Sequence, residues 1–181
     1  LIEKHTKDKG CLLDVGCAVG HFLSVARNND WITTGLELSN TGIKYCREEL
    51  KLDVHQSNIL EAGFKKSSFD AVSLLGVLEH MTDPKKVMLE AAEVLKSGGT
   101  LTVVVPNVYS LLTIILREKS VTFDGREHMI FFSMETLERC FRDIGFDVLE
   151  KDTMLTGIPN IMKYMQFNNP YGEDDEKIYL P

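Results

Sequence analysis

The stretch Cys11-Leu-Leu-Asp14-Val-Gly16-Cys-Ala-Val-Gly20-His-Phe22 sets one acid and two glycines in the spacing Asp-x-Gly-x-x-x-Gly. Residues 11–15 are apolar and β-prone, as in a strand buried on both faces, and a helical pattern opens at His21. Strand, glycine turn and helix in that order make a nucleotide-binding corner of an open α/β sheet. Gly16 permits a tight turn or a positive φ, and Gly20 lets the helix begin close to the strand or to a ligand. A dinucleotide fingerprint, Gly-x-Gly-x-x-Gly, fails in this register because its later positions are Ala18 and His21. Ordinary strand-to-helix turns also contain two glycines, so the loop by itself leaves the ligand open.

The charges narrow the choice. Asp14 at a strand end repels a pyrophosphate and suits an ammonium group. The backbone N–H groups that open the next helix receive a carboxylate. A ligand carrying both is an amino acid, and an amino acid joined to a nucleoside is S-adenosylmethionine. Glu37, twenty-one residues after Gly16 and flanked by Leu36 and Leu38, ends the second strand. An acid there accepts from both ribose hydroxyls of a nucleoside, with a solvated edge glutamate as the plainer alternative.

Residues 12–20 resemble the first motif of the class I S-adenosylmethionine-dependent methyltransferases, and the resemblance extends over residues 12–149. It implies a Rossmann-like fold, S-adenosylmethionine as methyl donor and S-adenosylhomocysteine as product. It also implies cofactor contacts from Asp14, Gly16, Cys17, Ala18, Gly20 and Phe22, ribose binding by Glu37, and cover for the adenine from Leu38. Ser57-Asn58-Ile59 stands where relatives commonly begin with Gly-Asp. The Asn58 oxygen can accept from the adenine amino group without charge assistance, or Asn58 is a plain turn residue. By the same resemblance Leu75 and Gly76 lie near the sulfonium, and His80 closes the adenine or methionine side. The run 131–146, with His128 just ahead of it, is similar to the same family.

The remaining candidates are on the acceptor side. His128 is the histidine considered for general-base chemistry, with a structural role as the alternative, and Asn107 and Tyr109 follow the fifth strand as substrate contacts. Glu79-His80-x-x-Asp83 matches no common zinc spacing, and Asp83-Pro84 reads as a helix N-cap and first residue, so no metal is expected.

These groups need a scaffold. Strands are expected at 11–15, 31–38, 53–56, 69–75 and 100–105. Helices are expected from His21, after Ser39 or Asn40, over 84–96 with the glycines 98–99 as its stop, and over 133–144. That alternation predicts an α/β, doubly wound, mostly parallel sheet in a three-layer sandwich. A further strand is expected near 146–150 and a last, antiparallel one over 177–180. Residues 108–132 exceed a plain connection, and their apolar piece 110–116 predicts either a lid over the cofactor crevice or a helix covering the core. The segment 154–181 is poorly defined, and its Asn169-Pro170-Tyr171 is taken as accidental.

The 181 residues suit one methyltransferase domain over 1–181, and 44% hydrophobic residues exclude a disordered chain. The longest aliphatic runs are too short for a bilayer. A net charge of −7 without a basic stripe argues against nucleic acid. Four cysteines without Cys-x-x-Cys spacing read as reduced residues of a cytoplasmic protein. The chain opens on Leu1 rather than Met, which suggests an excised or trimmed domain. The reading is methyl transfer to a small-molecule oxygen, nitrogen or carbon nucleophile by in-line displacement, in which a general base is optional. A non-catalytic S-adenosylmethionine-binding module and a protein or RNA methyltransferase stay open beside it.

Overall fold

The computed structural model describes residues 2–6, 8–123, 125–154, 156–166 and 169–170, which divide into two compact units, 1–105 and 106–181. The first unit is built on five parallel strands: β1 (Cys11–Val15), β2 (Ile32–Glu37), β3 (Val54–Gln56), β4 (Phe69–Leu75) and β5 (Leu95–Val104), in the order β3-β2-β1-β4-β5. Helix α1 (Ile2–His5) leads into β1. Helices α2 (His21–Asn28), α3 (Asn40–Glu48) and α4 (Pro84–Val94) connect the strands. Strand order reverses direction at β1. Right-handed crossovers therefore put α2 and α3 on one face and α4 on the other, the doubly wound arrangement expected.

Burial follows from that arrangement. Leu12, Ala71 and Val54 pack with Leu23, Ala26, Ile43 and Cys46 of α2 and α3 in one cluster that also takes in Trp31. The central strands β1 and β4 are buried along nearly their whole length, which is why both read as apolar runs rather than alternations.

Three expectations change. The helix begun at Pro84 stops at Val94, not 96, and the glycines do not cap it. Leu95 already pairs with Phe69, and the register then jumps so that Ala71 pairs with Thr100. The residues between form a bulge in which Gly98 takes φ 78° and Lys96 reaches back to Asp70 at 2.8 Å. The ladder captures the chain one turn before the glycines. Residues 146–150 form no strand. The last expected strand, 177–180, and Tyr171 lie outside the described residues.

In the second unit α5 (Leu111–Leu116) is followed by 3₁₀ turns at Arg117–Lys119 and Val121–Phe123, then by α6 (Met134–Asp143) and α7 (Ile158–Met165). Ser110 caps α5, and Ser133 and Thr136 close a capping box on α6, so both residues sit just outside the helices predicted to include them. Leu112 and Leu116 of α5 pack on Ile161 of α7, a helix that the sequence reading did not resolve. Among the described residues no helix is long and apolar enough to cross a membrane.

Candidate active site

Asp14 lies in register with Gly35 of β2 and Ser73 of β4, at the carboxyl end of the central strand. It is only 3% exposed, and its Oδ1 accepts from the Ser73 hydroxyl at 2.6 Å. Burial pushes its carboxyl up to about 7; the Ser73 hydrogen bond opposes the shift and the charge of Glu37 adds to it. A carboxylate so dry is a poor place for a phosphate and a strong partner for a cation.

The loop after β1 is tied down by its own backbone. Gly16 N and Cys17 N both donate to the Leu36 carbonyl, at 2.8 and 2.9 Å. Gly16 takes φ 72°, Ala18 φ 48° and Gly20 φ 75°. Space as well as conformation requires glycine at position 20, where a Cβ would lie 2.7 Å from Cys46 Sγ and 2.7 Å from Leu52 Cδ1. Gly20→Ala is therefore expected to cost about 1–3 kcal/mol of stability, read as a lower urea midpoint. A midpoint equal to that of the unaltered protein would overturn the close-packed reading. The first i→i−4 bond of α2 runs from Ser24 N to Gly20 O, so the amides of His21, Phe22 and Leu23 lie ahead of the ladder.

Glu37 closes the corner from β2. Its Oε2 accepts from Ala18 N at 2.8 Å, and its Oε1 accepts from Leu38 N and Ser39 N at 2.8 and 2.7 Å. One carboxylate thus ties the glycine loop to the end of β2 and the start of α3. Leu38 beside it is 62% exposed, a bare apolar face. Across the loop, a Cβ on Gly42 would stand 2.8 Å from Ala18 O, so α3 approaches the loop at backbone distance.

The structure brings Asp14, Gly16, Ala18, Gly20, Glu37 and Leu38 together at the carboxyl ends of β1 and β2. Phe22 is half-buried on α2 and packs against the core. Cys17 and Ile59 are buried, so only their backbone is available to a ligand, and burial pushes the Cys17 thiol well up. Asn58 Oδ1 accepts from Leu60 N at 2.9 Å, the role of a turn residue, while Ser57 Oγ donates to the Asn58 carbonyl. Leu75 and Gly76 end β4, with Gly76 at φ 69°. A Cβ on Gly16 would meet Val77 at 2.8 Å, so the turn after β4 rests directly on the glycine loop. His80 ends a 3₁₀ turn, Leu78–His80, with Nε2 4.0 Å from Glu79 Oε1.

Glu79 is weighed in the sequence reading only as a metal ligand and is assigned no other role there. It is 4% exposed, and its Oε2 has no hydrogen-bond partner among the described residues. Its signal was an acid set among Val77, Leu78 and Met81 just past a strand end. A cavity of about 390 Å³ on the α1–α2 side includes Phe22 and Leu75 but neither Asp14 nor Glu37.

In the second unit Asn107 pairs with Phe132 in an isolated bridge, and Asn107 Oδ1 accepts from Tyr109 N at 3.0 Å, with Tyr109 itself exposed. His128 is half-buried, and its Nδ1 lies 3.0 Å from the Thr122 carbonyl oxygen. That contact favours the tautomer with the proton on Nδ1.

The sequence profile of a family described as a methyltransferase domain matches residues 1–151. An uncharacterised protein of Methanocaldococcus jannaschii is 33% identical over 171 residues, covering 82% of this chain and 66% of its own length. The 27-O-demethylrifamycin SV methyltransferase of Amycolatopsis mediterranei is 34% identical over 98 residues, covering 50% of this chain and 36% of its own. This chain thus spans between about a third and two thirds of the length of these relatives. Among solved structures, an S-adenosylmethionine-dependent methyltransferase of Thermotoga maritima, described as a possible histamine N-methyltransferase, superposes with a TM-score of 0.66 at 25% identity. That match covers 81% of this chain and 69% of the other.

Proposed function

The chain belongs to the methyltransferase domain family, and on that premise we propose that it transfers a methyl group from S-adenosylmethionine to an oxygen, nitrogen or carbon nucleophile of a small molecule. The observation that supports this most is that Asp14 and Glu37 stand at the carboxyl ends of adjacent strands, with the Ala18 amide of the loop that follows Asp14 donating to Glu37. The two acids stand where one ligand would present an ammonium and a ribose diol.

The bound cofactor supplies a methyl group already activated on a sulfonium. The protein's work is to hold and align. Asp14 takes the ammonium, and the amides that open α2 take the carboxylate. Glu37 takes the ribose hydroxyls through the lone pairs its backbone donors leave, and Leu38 lies against the adenine. Leu75, Gly76 and His80 border the methionine side. The backbone of Cys17, Ser57 and Ile59 completes the cradle, with Asn58 at the adenine amino group. For acceptor contact we assign Asn107, Tyr109 and His128 by their place in the sequence, and residues 108–132 as the lid. The relative named for rifamycin methylation supports a small-molecule acceptor, and the acidic charge of the chain weighs against RNA.

The expected result is a rise in melting temperature of several degrees with S-adenosylhomocysteine well above its Kd, and none with NAD. Stabilisation by NAD alone would reverse the assignment.

A further inference from the structure

We propose that Glu79 is the carboxylate that receives the acceptor's proton, so that the acceptor of this chain carries its nucleophile as a hydroxyl or an N–H. The proposal rests on the methyl-transfer reading above and adds the acceptor chemistry to it.

A buried carboxylate oxygen without a donor is costly, and a catalytic role is one of the reasons native structures keep such groups. Glu79 Oε2 is such an atom among the described residues, and His80 Nε2 stands 4.0 Å from Oε1. Its position is also specific. Gly76, with φ 69°, turns the chain off β4, and a Cβ there would lie 3.7 Å from Glu79 Oε1, so the carboxylate folds back over the strand end. The same turn touches the cofactor loop through Val77 and Gly16. Ligands of open α/β sheets bind outside these carboxyl ends.

The donor that Glu79 lacks can be found by elimination. The cofactor's ammonium, ribose hydroxyls and adenine amino group are assigned to Asp14, Glu37 and Asn58, and its sulfonium carries no N–H or O–H. The remaining donor belongs to the acceptor. Its X–H bonds to Glu79 Oε2. As the X–C bond forms and the methyl–sulfur bond breaks, the electron pair of the broken bond stays on sulfur. The proton passes to Oε2 and leaves to water with the products. A neutral acceptor, a cationic donor and one carboxylate become a methylated acceptor, a thioether and one carboxylic acid, so charge and atoms balance. Phenols, catechols and N–H heterocycles fit this role, and carboxylate acceptors do not.

The test compares two cofactor analogues by calorimetry, so it needs no identified acceptor. Sinefungin carries an amine, cationic at neutral pH, where the transferable methyl stands, and S-adenosylhomocysteine carries no charge there. A carboxylate facing that point favours the cation. Glu79→Gln is expected to weaken sinefungin about tenfold or more while S-adenosylhomocysteine changes less than about twofold. It is also expected to leave the melting temperature of the ligand-free protein unchanged or higher. Equal weakening of both analogues, or of neither, would overturn the proposal. So would a clear loss of stability in both Glu79→Gln and Glu79→Asp, which marks a structural acid. Failure of the unaltered protein to bind either analogue would instead refute the methyl-transfer reading.

Discussion

Asp14→Asn is expected to make the ligand-free protein more stable at pH 8 and to remove most of its cofactor affinity. Both effects come from one buried carboxyl. Its ordinary value is 3.8, and in the fold burial lifts it to about 7, so the folded state holds this proton far more tightly than the unfolded chain does. Below pH 3.8 both states are protonated and Asp14 has no effect on stability. As pH rises from there, the unfolded chain ionises first and gains on the folded one. The penalty grows until pH passes about 7 and then stays constant, at about 4 kcal/mol. Asparagine keeps an oxygen for the Ser73 hydroxyl and has no proton to lose. The stability gap between the variant and the unaltered protein should therefore be small near pH 4 and largest above pH 7, as read by urea denaturation across that range. A gap independent of pH would show that Asp14 is not protonated in the fold.

Binding should move the opposite way. An ammonium pairs with the ionised acid, so affinity for S-adenosylhomocysteine should rise with pH up to about 7 and then level off. In the variant that dependence should vanish and affinity should fall by about 2–5 kcal/mol, the cost of truncating one side of a buried charge pair. If both results hold, the protein tolerates a destabilising acid for the sake of its ligand, a common exchange of stability for function.

The first half of the chain was legible because its signals are local and redundant. Asp14 and Gly16–Gly20 announce a strand, a turn and a helix within twelve residues, and β4 is a run of apolar residues that can only be buried. What the sequence concealed depends on contacts between distant residues. Ser73 looks like any polar interruption of a strand until the register sets it opposite Asp14. Glu37 looks like a ligand group alone, yet three backbone amides already converge on it. The early end of α4 follows from the pairing of Leu95 with Phe69, which no propensity encodes, since Gly98 and Gly99 are the stronger stop signal. In the sequence Glu79 offers only an incomplete metal spacing, because burial of an acid has no sequence signature beyond its apolar neighbours. At 146–150 the β-propensity that predicts a strand is not enough to make one.

Glu37→Ala tests how far the two roles of that residue are joined. The carboxylate that would receive the ribose also holds Ala18, Leu38 and Ser39 by their amides, so its loss removes ligand acceptors and loosens the loop that shapes the cradle. The amides are near solvent, and water can replace much of what they lose, so the stability cost is expected to be only about 1 kcal/mol. On the proposed reading the ribose hydroxyls would bind where the ligand itself excludes water and would have no such substitute. Affinity for S-adenosylhomocysteine is therefore expected to fall by about 3 kcal/mol, more than a hundredfold in Kd. Glu37→Gln keeps one carbonyl oxygen and should fall between the two. A 2′-deoxy analogue separates the roles: it should bind the unaltered protein weakly and lose little more in the alanine variant, because the contact it lacks is the one removed. If the variant weakens the deoxy analogue as much as the full ligand, Glu37 acts only by fixing the loop, and the ribose contact belongs to another residue.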